Sequence, residues 1–305
     1  MINTEQRQAI IEIKELSKRY GKTLAVDHID LTVYENEIFG FLGPNGAGKS
    51  TTLRILTTLT KPDSGTALVG GFDVCKQAQD VKKQIGVVQQ TVSFDRDISL
   101  GDNMQLHARM HGYSPSDSKK MTAEALQYCN LTNNANTLIN DLSGGMRRIA
   151  TIARALMHNP RIIFLDEPTT SLDAQTRRKI WSRVRQLREQ GSTVFLTTHY
   201  IEEAEALCDR VAIIHKGCII AIGTPLELRQ MVGLWTVEYS EAHTDSQYRY
   251  FPSEEEAKEF IGSLPESQKA ISLRPSNLED IFIEYTGQKV GGSIEEKALH
   301  SEMNP

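Results

Sequence analysis

No run of apolar residues in this chain approaches the ~20 needed to cross a bilayer as a helix. The opening stretch, MINTEQRQAIIEIKELS, lacks the layout of a secretory signal. A basic excess is missing as well. The net charge is −5, which argues against bulk attraction to nucleic acid or to anionic lipid. The four cysteines (Cys75, Cys129, Cys208, Cys218) show no CxxC spacing. They read as reduced thiols that pack rather than ligate. Internal repeats and low-complexity segments are absent too. These absences predict a cytoplasmic chain, reaching a membrane only through a partner. What remains is ordinary for a globular protein: 39% hydrophobic and 24% charged residues.

The pattern along the chain predicts an α/β fold. Residues 10–42 read as strands, and 67–74 and 81–90 continue strand-rich. A polar region, roughly 99–139, carries Met, Leu and Ala at helical intervals. Strand and helix then alternate. RIIFLDEP holds a short buried strand. AQTRRKIWSRVRQLREQG is a helix with Ile180, Val184 and Leu187 on one face and Gly191 at its end. STVFLTTH is a strand, YIEEAEALCDR a helix, and VAIIHKGCIIAIG a strand pair turning at Lys216-Gly217. Buried β runs alternating with helices predict a parallel sheet. Past about residue 231 a small α/β unit is expected. Its strands are WTVEYS, QYRYFP and KAISLRP. Ser253 with Glu256 predicts a capping box, and Asn277 a cap for LEDIFIEYTG. The tail, 288–305, has no pattern and is expected to be disordered.

One segment carries explicit chemistry. The strand EIFGFL runs into GPNGAGKS, Gly43 to Ser50, and then into the helix KSTTLRILTTLT. This is G-x-x-x-x-G-K-[ST] at every fixed position and in the right context. Its glycines let backbone N–H groups turn inward around phosphates. The helix N-terminus adds a positive dipole end. Lys49 supplies a mobile charge to the β- and γ-phosphates, and Ser50 a hydroxyl for Mg²⁺.

RIIFLDEP supplies a second part. Ile162 to Leu165 end in Asp166 and Glu167, at the carboxyl end of a parallel strand, where ligands bind. Asp166 can hold Mg²⁺, mostly through water, and Glu167 can take a proton from an attacking water. Alone, Asp-Glu after a strand is as readily a solvated acidic turn. His199 ends a strand of the same inferred sheet and is assigned to the γ-phosphate, although a lone histidine is usually a surface or core residue. Gln89 and Gln90 end the strand IGVV. An amide there can touch Mg²⁺ or the attacking water without cancelling charge.

NDLSGGMRRIATIARALMHNP poses a puzzle. Ile149, Ile152, Ala153 and Leu156 form one helical face, and Asn159-Pro160 stops it. Ser143 can cap the helix, yet Gly144 and Gly145 fill its first positions, each costing up to ~1 kcal/mol against alanine. Glycines there allow backbone N–H groups, with the Ser143 hydroxyl, to approach a phosphate at the positive end of the helix dipole. Arg147 and Arg148 read as a solvated helix face.

GPNGAGKST, Gln90, LSGGM, FLDEP, SLDA and TTH, in this order and spacing, resemble the ATP-binding-cassette (ABC) ATPase family over residues 10–230. The resemblance implies a P-loop NTPase core with an antiparallel β subdomain. It also implies a helical subdomain over roughly 92–160, within an ATP-binding domain of 1–230 followed by the 231–287 unit. It implies roles as well. Tyr20 stacks on adenine, although a lone tyrosine is more often packing. Gly43, Pro44, Asn45, Gly46, Ala47, Gly48, Lys49, Ser50 and Thr51 bind the phosphates of ATP. Gln90 is the coupling glutamine, Asp166 the magnesium aspartate, Glu167 the catalytic base and His199 the switch histidine. Ser143, Gly144, Gly145 and Asp173 face the site of a second copy. Three positions depart from the family's pattern: Asn36 and Ser171 stand where glycine is usual, and Met146 where glutamine is commoner.

LSGGM, EEAEALCDRVAIIHKG and NLEDIFIEYTG resemble, further, the ATPase subunits of ABC-2-type exporters of the drug-resistance and nodulation-factor group. That implies a partner permease in the membrane, with this chain on its cytoplasmic face. The competing reading is an ABC ATPase acting on nucleic acid or ribosomes. Chromosome-maintenance members carry a long coiled coil between the phosphate loop and LSGG, where this chain has no sustained heptads. Ribosome-acting members usually carry two cassettes in one chain, and this chain has one.

Overall fold

The computed structural model describes residues 7–91, 93–241, 246–265 and 268–287. The expected disordered tail, 288–305, lies outside them.

A six-stranded sheet forms the centre, in the order β10-β9-β3-β8-β7-β6. These strands are β3 (Ile38–Leu42), β6 (Ile85–Val88), β7 (Ile162–Asp166), β8 (Thr193–Thr198), β9 (Arg210–His215) and β10 (Cys218–Gly223). All pairings are parallel except that of β10 with β9. Every residue of β3, β7 and β8 is buried, as a sheet covered on both faces requires.

The two faces divide the side chains by the period of two. Phe39, Phe41, Phe164 and Phe195 point one way, into a core shared with Ile11, Val26 and Leu31. Those aliphatic residues come from β1 (Ala9–Tyr20) and β2 (Thr23–Tyr34). With β4 (Ser64–Val69) and β5 (Phe72–Asp73), these strands form an antiparallel sheet in the order β2-β1-β4-β5. Phe195 sits centrally, its ring centroid 5.6–5.7 Å from those of Phe39, Phe41 and Phe164. Burying each such ring stabilises by about 1.5–3 kcal/mol.

Ile38, Leu42, Ile163, Leu165, Val194 and Leu196 point the other way. They meet Ile152 of α5 (Gly144–Leu156), then Ile180, Val184 and Leu187 of α6 (Ala174–Glu189), and Ala204 of α7 (Ile201–Leu207). The three α6 residues are those the helical periodicity places on its buried face.

A third core binds α3 (Leu100–Met110), α4 (Pro115–Tyr128) and α5 through Leu100, Met104, Leu126, Leu142 and Ala153. α5 therefore belongs to two cores, since Ile149 packs against both.

The remaining elements are α1 (Lys49–Leu56), α2 (Ala78–Gln84), α8 (Pro225–Val232), β11 (Trp235–Glu241), β12 (Gln247–Phe251), α9 (Glu254–Ser263), β13 (Gln268–Pro275) and α10 (Leu278–Thr286). β12-β11-β13 is a separate antiparallel sheet. α10 returns from it to the main body. Leu278, Ile281 and Phe282 are buried in the core of the parallel sheet, and the Leu278 N–H donates to Glu205 Oε1 at 3.2 Å.

Two local readings change. Residues 81–84, expected as strand, end α2 instead. Asp80 in its first turn and Lys82 and Lys83 in its last complement the helix dipole, and Val81 is the one buried side chain. Ser253 does cap α9, accepting from the Glu256 N–H at 3.3 Å. The Glu256 carboxylate, however, meets the Ser253 hydroxyl rather than its backbone N–H, so the reciprocal half of the capping box is not made. At α10 the full box forms, between Asn277 and Asp280.

Candidate functional site

The loop from β3 to α1 is set by backbone geometry. Gly48 stands at φ +112°, and a Cβ there would fall 2.4 Å from the Ala25 carbonyl oxygen. Only glycine fits. No side chain caps α1, so the N–H groups of its first turn are free to face an anion.

A cavity of about 440 Å³ opens over this loop. Its lining brings together Asn45, Gly46, Gly48, Lys49, Ser50, Thr51, Gln90, Glu167 and His199, with Ala25 and Thr170. Three sheet strands supply the far wall: Gln90 follows β6, Glu167 follows β7 and His199 follows β8. Adjacent parallel strands end together, which makes one site from residues over a hundred positions apart.

Glu167 is the hub. Its carboxylate lies 3.3 Å from Lys49 Nζ and 3.2 Å from His199 Nδ1. It accepts from Gln90 Nε2 at 3.2 Å and from Thr170 Oγ1 at 3.1 Å. Burial pushes its pKa up, but Lys49 and His199 outweigh that and hold the carboxyl below its usual range. Burial in turn lowers the Lys49 ammonium, against the pull of Glu167. Lys49 also donates to the carbonyls of Gly43 (2.9 Å) and Pro44 (3.0 Å). The Glu167 backbone is left-handed at φ +46° and precedes Pro168. Such strain costs on the order of 1–3 kcal/mol. It is held by the Glu167 N–H, which donates to both the Thr197 carbonyl and its hydroxyl at 3.1 Å.

Asp166 is buried one residue before. Its Oδ1 accepts from Thr197 Oγ1 at 2.6 Å and from Ser50 Oγ at 3.3 Å. A hydroxyl and a carboxylate oxygen this close form a hard, all-oxygen donor pair, which suits Mg²⁺ rather than a softer metal.

Other expected residues stand outside the cavity's lining. Tyr20 is exposed at the end of β1, with Lys18 Nζ 5.5 Å from its ring centroid. Ser143 caps α5 by accepting from the Met146 N–H at 3.2 Å. A Cβ on Gly145 would sit 2.9 Å from Thr176 Cγ2, so the glycine also lets α5 and α6 begin side by side. Asp173 caps α6, accepting from the Thr176 N–H at 2.9 Å and its hydroxyl at 2.7 Å. Those bonds hold its carboxyl below the usual range. Gly144 has no atom within 4 Å of a built Cβ. Asn36 and Ser171 both adopt the left-handed backbone, at φ +57° and +62°. Asparagine accepts this readily, whereas serine carries a steric cost.

Arg148 is the chief correction. It is not on a solvated face but 5% exposed. Its guanidinium donates to five carbonyls: Pro168 (2.7 Å), Gln89 (2.6 Å), Gln90 (3.2 Å), Asp166 (3.0 Å) and Glu167 (2.9 Å). Burial draws its pKa down to about 10, still charged at neutral pH. It thus ties the helix that follows LSGG to the backbone of both the Gln90 and Glu167 segments. Glu203 was missed as well. Fully buried on α7, it accepts from Thr169 Oγ1 at 2.9 Å and from Trp181 Nε1 at 3.0 Å.

The family model described as ABC transporter matches residues 26–170. The Nod factor export ATP-binding protein I of Cupriavidus pinatubonensis is 37% identical over 299 residues, covering 92% of each chain. The linearmycin resistance ATP-binding protein LnrL of Bacillus subtilis is 41% identical over 224 residues, 73% of this chain and 72% of that one. Among solved structures, an ATP-binding subunit of an ABC transporter superposes with a TM-score of 0.66 at 25% identity. It covers 73% of this chain and 92% of that one. A dimeric ATP-binding cassette in a post-hydrolysis state, bound to ADP and Pi, gives 0.64 at 30% identity, over 70% and 98%. Kinship along nearly the whole length, with a phosphate loop and a strand-end carboxylate facing one cavity, means that the chain belongs to the ABC transporter ATP-binding family, whose cassettes are ATPases.

Proposed function

We propose that this chain is the motor subunit of an ABC-2-type exporter, hydrolysing ATP to drive a separate membrane permease. The observation that carries the chemistry is the convergence of Lys49, Gln90 and His199 on one buried, ionised carboxylate, Glu167, beside the phosphate loop. Residues 43–51 hold the phosphates and Tyr20 stacks on adenine. Ser50 and, mostly through water, Asp166 would hold Mg²⁺, with the Gln90 amide oxygen as a further donor. The ion supplies charge neutralisation on the phosphate oxygens.

Glu167 orients a water and takes its proton as the water oxygen bonds to the γ-phosphorus and the bond to ADP breaks. Lys49 and His199 stabilise charge on the transferred group, since phosphoryl transfer depends chiefly on positioning and electrostatics. Ser143, Gly144, Gly145 and Asp173 stand apart from the cavity of their own chain. They serve the site of a second copy, so that two chains enclose two ATP molecules. The dimeric cassette among the structural relatives supports this arrangement. Among the described residues no helix is long and apolar enough to cross a membrane, in keeping with a subunit that works on the cytoplasmic face through its partner. The names of the relatives support export, one of Nod factor and one conferring linearmycin resistance.

Affinity purification from detergent-solubilised cells tests the assignment. The expected result is a polytopic membrane protein recovered with this chain in stoichiometric amount. Recovery without any membrane protein, with sedimentation alongside ribosomes, would overturn it.

A further inference from the structure

We propose a transition-metal site, of the kind that takes Zn²⁺, formed by His107, His111 and His158 on the side of the helical core. His107 lies in the last turn of α3, and His111 follows that helix as its cap residue. His158 follows the end of α5. Taken one nitrogen per ring, the three possible ligand atoms lie within 4.8 Å of one another. Ligands of a tetrahedral zinc ion stand about 3.3 Å apart, given Zn–N near 2.0–2.1 Å. His111 is exposed, so its ring is free to swing inward and close the difference.

Two nitrogens are already prepared. His158 Nε2 lies 2.9 Å from the Ile85 carbonyl, a contact a ring makes only by donating Nε2–H. That fixes the tautomer and leaves a lone pair on Nδ1, which is buried without a hydrogen-bond partner. A metal-bound histidine donates from its other nitrogen in this way. His107 Nε2 is also buried without a partner. A buried acceptor left without a partner is destabilising, and a shared ion would satisfy both.

The i, i+4 spacing of His107 and His111 puts both rings on one face. Their centroids are 4.7 Å apart, and those of His111 and His158 are 4.3 Å apart. Burial lowers the pKa of His107, to about 3, and that of His158, so the neutral ligating form of these two prevails at physiological pH. Arg154 opposes positive charge near His107. Its guanidinium bonds the Ser93 carbonyl (2.7 Å) and hydroxyl (2.8 Å) and lies over the Phe94 ring, which fixes its place but leaves its charge. Three neutral imidazoles with an open fourth position match a known zinc ligand set. An ion there would cross-link the end of α3 to the end of α5 and, through Ile85, to the start of β6.

Untagged full-length protein, stripped with chelator and titrated with Zn²⁺ alone by calorimetry, tests the site. Wild type should bind one ion per chain through these rings. His111→Ala removes an exposed ligand and should weaken that binding at least about 100-fold, with an unchanged circular dichroism spectrum. X-ray absorption of the loaded wild type should show three imidazole nitrogens at about 2.0–2.1 Å. Equal affinity in the variant, a sulfur ligand, or no saturable binding would overturn the proposal. Equal affinity would place the ion elsewhere, for instance at Ser50 and Asp166.

Discussion

Arg148 and its neighbour Arg147 look alike in sequence, yet one is buried among five backbone carbonyls. Helical periodicity places a residue on a face of its own helix. It does not say that two loops from distant strands will fold over that face. The phosphate loop was legible for the opposite reason: its chemistry is local, and every fixed position lies within eight residues of its start. Glu167 was legible by type and place. Its partner Thr197, brought beside it by the pairing of β7 with β8, was not. Truncating Arg148→Met should destabilise the fold by about 3 kcal/mol, since five carbonyls lose a charged donor inside the protein. That corresponds to a fall in Tm of roughly 6–12 °C. Arg148→Lys should recover only part, because an ammonium does not reproduce the planar fork of donors. A thermal melt of Arg148→Met coincident with wild type would refute the clamp.

The elements themselves followed their signals where a side-chain pattern was long. α6, the buried β3, β7 and β8, and the β9–β10 turn at Lys216-Gly217 stand where hydrophobic periodicity and turn chemistry put them. α2 did not, because a four-residue stretch such as VKKQ carries too little pattern to separate helix from strand. Glu203 shows how elements are joined. It sits on α7 and receives bonds from Thr169, just past β7, and from Trp181 on α6. Burial lifts its carboxyl above the usual range, although the bonds from Thr198, Thr169 and Trp181 oppose the rise. The folded protein therefore holds this proton more tightly than the unfolded chain. Its contribution to stability is greatest in acid and is lost as pH rises from the ordinary carboxylate range through the folded value. Glu203→Gln deletes that titration. The Tm of the variant relative to wild type should accordingly become more favourable as pH rises above the ordinary carboxylate range. A difference that is flat with pH, or that runs the other way, would show Glu203 to be ionised throughout.

At the scale of the whole molecule, the parallel sheet gathers the ends of β3, β6, β7 and β8 over one phosphate loop, while α5 opens at a separate place on the same chain. The fold class was legible because buried strands alternate with helices. The packing of α10 into the core of the main sheet was not, since an apolar helical face does not name the surface that it meets. The division of labour between the two places is the central claim: one chain holds ATP, and a second copy completes the site. Removing the base while leaving the phosphate contacts intact isolates that claim. In Glu167→Gln the carboxamide keeps the shape but cannot take the proton, so bound ATP should persist and hold two copies together. The decisive measurement is size-exclusion chromatography with light scattering on Glu167→Gln in ATP and Mg²⁺. The expected result is a stable dimer retaining two ATP molecules. A variant that binds ATP and stays monomeric would contradict it.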